Sequence, residues 1–139
     1  LDDFAGRWTL TRKIIQRNGD VFAFMGEAEF SWLEGSEHEE SRALAYFENG
    51  EVTAPNGHVM PAERRYFWQQ LQTGLFEVLF DDKRYFHSFS ATNPNAEHLC
   101  GDDNYVVRYD FSTWPVWRST WKVIGPRKDY TMISKYSPA

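Results

Sequence analysis

The sequence predicts an all-β protein: an antiparallel up-and-down barrel of about eight to ten strands. Aromatic residues make up 17% of the chain, and aromatic side chains favour pleated, half-buried strands. Turn signals such as Asn18-Gly19 and Asn56-Gly57 recur at short intervals, and apolar residues between them often alternate with a period of two. Closing the sheet removes exposed strand edges, which favours a barrel. A two-sheet sandwich is the structural alternative.

The strand cores follow from this alternation. In the second core, Phe24 and Phe30 share one face, whereas Glu27 and Glu29 lie on the other. Hairpin-type residues separate the cores, and Glu48-Asn49-Gly50 is read as one such turn. In chain order, the predicted cores are 7–16, 21–33, 38–47, 59–70, 75–80, 84–91, 104–111, 116–124 and 129–136.

Composition limits the possible partners and the compartment. The net charge of −5 over 139 residues offers no basic stripe for nucleic acid, and no apolar run is long enough for a membrane span. No signal peptide is recognised. The single cysteine, Cys100, excludes an internal disulfide and suits a reducing compartment, so a cytoplasmic location is expected. With no linker or repeat, residues 1–139 are predicted to form a single domain, and the oligomeric state is not predicted.

Two short motifs carry a resemblance to known barrels. Gly6-Arg7-Trp8 at the first strand resembles the Gly-x-Trp signature of lipocalins, fatty-acid-binding proteins and their calycin relatives. The resemblance implies that Trp8 plugs the closed end of the barrel beneath a basic side chain, here Arg127 or Lys135. Asp129-Tyr130 is similar to a second lipocalin motif, although it precedes the last strand, whereas lipocalins place it earlier.

Nearly the whole chain resembles an uncharacterised, mainly bacterial domain-of-unknown-function family with a lipocalin-like fold. That family implies a lipocalin/calycin-like barrel but no established reaction. The resemblance rests on Gly6-Arg7-Trp8, Arg64-Arg65-Tyr66-Phe67-Trp68, Phe86-His87, His98-Leu99-Cys100, Tyr105, Arg108-Tyr109-Asp110-Phe111 and Trp121 through Ser134.

The period-two rule also assigns an interior lining if Trp8 and Trp121 face inward. Large apolar area with a few polar groups is typical of a small-molecule pocket. The alternative is a filled core in which the same polar groups bond to one another. The predicted ligand-binding residues are Arg64, Tyr66, Trp68, Tyr85, His87, Tyr105, Tyr109, Trp117, Trp121 and Tyr130.

The leading functional hypothesis is a protein that binds a small hydrophobic, amphipathic or aromatic molecule without a cofactor. An inward arginine, Arg64 or Arg42, needs an anion. This is either a protein carboxylate such as Glu40 or Asp110, or the carboxylate or phosphate of a ligand. The resemblance to fatty-acid-binding proteins implies the second, because those proteins hold ligand carboxylates with interior Arg and Tyr.

Three other functions stay open at this stage. The first is a cofactor-independent isomerase, cyclase or dehydratase with His87 as acid/base. The second is haem or metal binding through His87 or His98. His98, Cys100 and Asp102 would point the same way on a strand, but structural zinc takes four ligands, so the run is read as a loop and no metal site is assigned. The third is a solid barrel whose outer face binds another protein.

Overall fold

The computed structural model describes residues 3–33, 42–72, 75–90, 93–100 and 102–139, without the side chains of residues 71–72 and 97–100. Ten strands account for most of these residues. They are β1 Gly6–Gln16, β2 Val21–Trp32, β3 Ala43–Thr53, β4 Val59–Gln72, β5 Leu75–Phe80, β6 Tyr85–Ser90, β7 Asn95–Cys100, β8 Asp103–Asp110, β9 Trp117–Gly125 and β10 Lys128–Pro138.

The ten strands form one antiparallel sheet that curls into a nearly closed barrel. Its order is β6-β5-β4-β3-β2-β1-β10-β9-β8-β7, so the first and last strands of the chain pair with each other. The two strands at the ends of this order, β6 and β7, lie side by side. The predicted all-β, lipocalin-like barrel is therefore confirmed. No helix in the described ranges is long and apolar enough to span a bilayer.

Two strands differ from the prediction. The third strand runs through Glu48-Asn49-Gly50, which had been read as a turn. Gly50 lies opposite Gly26 of β2, and a Cβ at Gly26 would come within 2.1 Å of the Asn49 carbonyl oxygen. These glycines therefore allow two strands to approach closely instead of ending one. The predicted residues 38–41 lie outside the described ranges. The second difference is β7, which forms where a loop was predicted and pairs with β8.

Trp8 is buried near one end of the barrel, here named the Trp8 end. It is 5% exposed, its Nε1–H donates a hydrogen bond to the Phe4 carbonyl oxygen at 2.9 Å, and its ring contacts those of Trp114 and Trp117. The opposite end, named the hairpin end, carries the short turns at 17–20, 54–58, 81–84 and 126–127.

The basic residue expected over Trp8 needs correction. Arg127 is exposed in the turn between β9 and β10, whereas Trp8 lies opposite Pro138 at the far end of β10. At about 3.3 Å per residue, the length of β10 separates them. Lys135, the other candidate, is an exposed residue of β10. Aromatic rings cover Trp8 instead of a cation.

Candidate functional site

A small polar cavity lies inside the barrel. The space open to the centre of a water molecule is about 20 Å³, which is enough for about one water molecule. Six aromatic side chains, three charged side chains, one serine and one valine surround it. The lining residues are Arg12, Tyr46, Glu48, Arg64, Tyr66, Trp68, Val78, Tyr109, Ser119, Trp121 and Tyr136.

One wall of the cavity holds a fully paired charge network. The Arg12 guanidinium donates to both carboxylate oxygens of Glu48, with Nη1–Oε2 at 2.5 Å and Nη2–Oε1 at 2.9 Å. Its Nε donates to Ser134 Oγ at 2.7 Å. The Tyr46 hydroxyl donates to Glu48 Oε1 at 2.6 Å and lies 2.8 Å from the Tyr136 hydroxyl. Arg12 and Glu48 are 6% and 2% exposed, so this network replaces the water that both charges lose.

The network fixes the protonation of its members. Burial raises the pKa of Glu48. Hydrogen bonds and the charge of Arg12 have the larger, lowering effect, so the pKa lies below its ordinary value. The carboxylate therefore stays ionised at neutral pH. Burial, together with the charge of Glu48, raises the pKa of Tyr136 to about 12 against the lowering effect of Arg12. Burial likewise raises the pKa of Tyr46. Both phenols are thus neutral hydrogen-bonding groups.

Arg64 lies on another wall of the cavity and is differently placed. It is partly buried on β4, next to the inward Tyr66. Within the described ranges it forms no ion pair with a carboxylate. Burial lowers the pKa of Arg64, but the nearby Tyr66 hydroxyl and Glu48 raise it more strongly. Two arginines thus face the cavity with one carboxylate, which leaves one positive charge in excess.

Two tyrosines lie beyond Arg64 toward the hairpin end. Tyr130 is half-buried. Burial raises its pKa, and the positive charge of Arg64 lowers it by a smaller amount. The Tyr105 hydroxyl accepts a hydrogen bond from Lys128 Nζ at 3.3 Å, and Lys128 also forms an ion pair with Asp103 at 3.1 Å. The hairpin end near Arg64 is therefore aromatic, polar and partly open.

The structure corrects the predicted position of His87. The ladder between β5 and β6 shifts between Val78 and Leu79: Val78 lies opposite His87, whereas Leu79 lies opposite Tyr85. This irregularity buries both Phe86 and His87 and leaves Tyr85 50% exposed. His87 Nε2 lies 2.8 Å from the Tyr109 hydroxyl, and Tyr109, not His87, lines the cavity. His87 is therefore one layer behind the wall, and Tyr85 is not an interior residue.

The remaining predicted residues divide into three groups. Arg64, Tyr66, Trp68, Tyr109 and Trp121 line the cavity, and Tyr105 and Tyr130 lie toward the hairpin end. Trp117 is buried behind Tyr136, with ring centroids 3.8 Å apart and planes at 5°.

The other residues considered for anion or metal binding either lie away from the cavity or fall outside the described ranges. Arg42 lies over the Trp32 ring at 4.9 Å, and the exposed Asp110 accepts a hydrogen bond from the Ser112 amide. Glu40 lies outside the described ranges, as do the side chains of His98 and Cys100. No group of three or more potential metal ligands occurs among the residues described.

Six of the eleven residues of the cavity wall were not predicted from the sequence. The missed residues are Arg12, Tyr46, Glu48, Val78, Ser119 and Tyr136. A usable signal was present in β1, where Arg12 continues the inward series of Trp8 and Leu10. In β3 the signal was hidden, because reading Glu48-Asn49-Gly50 as a turn removed Glu48 from the alternation that begins at Leu44 and Tyr46.

Comparisons with known proteins give a family and a fold. The model of the "Family of unknown function (DUF6314)" matches residues 4–138. An S-type phycobiliprotein lyase from Guillardia theta has a similar structure, with a TM-score of 0.70 and 7% sequence identity over 99% of this chain and 89% of that chain. At this identity the likeness shows the fold alone. No curated protein matches the chain.

Proposed function

The chain belongs to the DUF6314 family of unknown function, and we propose that it binds a small amphipathic carboxylate, with Arg64 as the anchor. The observation that carries the proposal is the excess positive charge of the cavity. A charge that is partly removed from water needs an anion, and Arg12 already engages the carboxylate of Glu48 at both oxygens. A ligand carboxylate would supply the missing partner of Arg64.

The chemistry around Arg64 suits a carboxylate better than a neutral group. A guanidinium presents paired N–H donors that match the two oxygens of a carboxylate. The neighbouring Tyr66, whose pKa is raised mainly by burial, keeps its proton and can donate to the same oxygens. Trp68 and Trp121 supply apolar surface beside these polar groups, which is the combination expected for an amphipathic ligand.

The size of the cavity limits how such a ligand lies. A space of about 20 Å³ has room for about one water molecule, so in the proposal only a carboxylate oxygen enters it and the body of the ligand stays outside. In the proposed arrangement the carboxylate reaches Arg64 and Tyr66, and the body extends along the half-buried Tyr105 and Tyr130 toward the hairpin end. The likeness to a phycobiliprotein lyase supports a barrel architecture and does not select this ligand.

The test uses an acid and an alcohol that differ only at the head group. We expect 4-phenylbutyrate to bind the intact chain at neutral pH at least tenfold more tightly than 4-phenylbutanol, because only the acid pairs with Arg64. Calorimetry gives the affinities, and tryptophan fluorescence reports contact near Trp68 and Trp121. Equal affinities for the two compounds would remove the role of the positive charge.

A matched pair of variants locates the anchor. Arg64→Met should weaken 4-phenylbutyrate binding roughly 10- to 150-fold, as loss of a charge-assisted hydrogen bond predicts. Arg65→Met is the control, because Arg65 is the next residue on the strand but lies outside the barrel, with its guanidinium 4.1 Å from the Phe47 ring centroid. The proposal fails if both variants weaken binding equally.

A further inference from the structure

The Trp8 end carries a second, larger hollow that is separate from the interior cavity. Its lining consists of four aromatic rings and one carboxylate: Asp3, Phe4, Phe76, Phe111 and Trp114. The space open to the centre of a water molecule is about 240 Å³ in this hollow, against about 20 Å³ in the interior cavity. We name it the aromatic box. It shares no lining residue with the interior cavity, so it can be tested on its own.

Phe4 is one of the four aromatic residues, and the other three rings are arranged around it. Its ring meets those of Phe76, Phe111 and Trp114 at interplanar angles of 80°, 70° and 81°, with centroids 6.1, 5.8 and 5.2 Å away. Phe4 is 6% exposed, whereas Trp114 is 40% exposed. Three rings therefore stand roughly perpendicular to a buried one, and at least one of them remains open to a ligand.

Hydrogen bonds fix the backbone at three of the four residues that carry these rings. The Phe4 carbonyl oxygen accepts from Trp8 Nε1 at 2.9 Å. In the turn between β8 and β9, the Trp114 amide donates to the Phe111 carbonyl oxygen at 3.1 Å. Phe76 belongs to β5 and lies opposite Phe89 of β6. A pre-organised site loses less conformational freedom on binding, so this geometry favours a specific ligand over incidental apolar contact.

The charge of the box selects the ligand chemistry. Aromatic faces carry partial negative charge and attract cations, and Asp3 adds a full negative charge at the same hollow. A primary ammonium has three N–H donors to satisfy, and among the lining side chains only Asp3 offers a strong acceptor. A quaternary ammonium has no N–H donor and presents methyl groups to the rings. We propose that the aromatic box binds the quaternary ammonium group of a small free metabolite.

The first test separates charge from apolarity in the intact chain. Choline and tetramethylammonium are titrated against 3,3-dimethyl-1-butanol, the neutral analogue of choline, and the indole N–H signal of Trp114 is followed by NMR. Choline should bind roughly fivefold to thirtyfold more tightly than the neutral analogue. Equal binding of the two, or no shift of the Trp114 signal with either cation, would overturn the proposal.

Variants test the two parts of the box. Trp114→Leu should weaken choline binding at least fivefold, whereas Trp114→Phe keeps a ring and should retain most of the affinity. Asp3→Asn should weaken binding, and Asp81→Asn, an exposed carboxylate at the hairpin end, should not. Full affinity in Trp114→Leu would contradict the assignment.

The source of the ammonium group is tested with phosphatidylcholine vesicles. A free metabolite predicts binding of choline in solution without cosedimentation of the protein with vesicles. Cosedimentation without binding of free choline would overturn the assignment to a free metabolite. Failure of the box would leave the Arg64 proposal unaffected, since the two tests use different ligands and different residues.

Discussion

Arg12 and Arg64 face the same cavity in opposite electrostatic situations. Arg12 is 6% exposed and bonds to both oxygens of Glu48 and to Ser134. Arg64 is partly buried beside Tyr66 and has no carboxylate partner within the described ranges. The Arg12 side is thus complete as a structural element, whereas the proposed function gives Arg64 an anion from a ligand. In that proposal one interior arginine serves the fold and the other serves binding.

The largest predicted change in stability tests the Arg12 side of this comparison. Glu48→Gln leaves Arg12 buried without its countercharge, and removing one partner of a buried ion pair costs about 3–5 kcal/mol. We expect the free energy of unfolding in urea to fall by that amount. Glu29→Gln is the control, since Glu29 pairs with Arg7 at an exposed site and such pairs contribute about 1 kcal/mol or less. A similar loss in both variants would mean that Arg12 can be resolvated.

An intermediate effect is expected at alkaline pH, also on the Arg12 side. The pKa of Tyr136 is about 12 in the folded chain against an ordinary value of 10.0. A raised pKa stabilises the fold below the unfolded value, and this contribution is lost as the pH rises from 10 toward 12. The two pH units correspond to about 2–3 kcal/mol. The pKa of Tyr46 is raised as well, so the native chain and Tyr85→Phe should lose more than this one contribution. In unfolding measured at several pH values, Tyr136→Phe should lose less stability than either.

The smallest effect on stability is expected on the Arg64 side. Arg64→Met removes a charge that has no carboxylate partner among the described residues, so the free energy of unfolding should change by less than about 1 kcal/mol or increase. The same urea measurement as for Glu48→Gln gives the direct comparison. A loss as large as that of Glu48→Gln would show that Arg64 is a structural residue, and the comparison between the two arginines would collapse.

The sequence predicted the barrel because its signals are repeated along the chain, and single errors do not change the outcome. Alternation placed Tyr66 and Trp68 inward once Trp8 and Trp121 were taken to face the interior. The site was predicted less well because it depends on local exceptions. The irregularity in β6 leaves Tyr85 exposed and buries His87 one layer behind the cavity. A period-two rule cannot detect such a shift.

Long-range register was the other source of error. Glu48 meets Arg12 only because β3 continues through Gly50, where the close approach of two glycines resembles a turn signal in the sequence. Arg127 was assigned to Trp8 from a family resemblance, yet the pairing of β1 with β10 places Trp8 beside Pro138. The register between paired strands decides which residues meet across the barrel. The period-two alternation that assigns the strands does not determine this register.

The seam between β6 and β7 has a consequence for how the protein behaves in a crowded solution. Both edge strands are 6 residues long, whereas β1, β2, β3, β4 and β10 each have at least 11. A strand edge is a template on which another chain can add, and short edges offer few places for such pairing. Two of the three 6-residue strands of the barrel lie at this seam, so it offers another chain only a short length of edge for pairing.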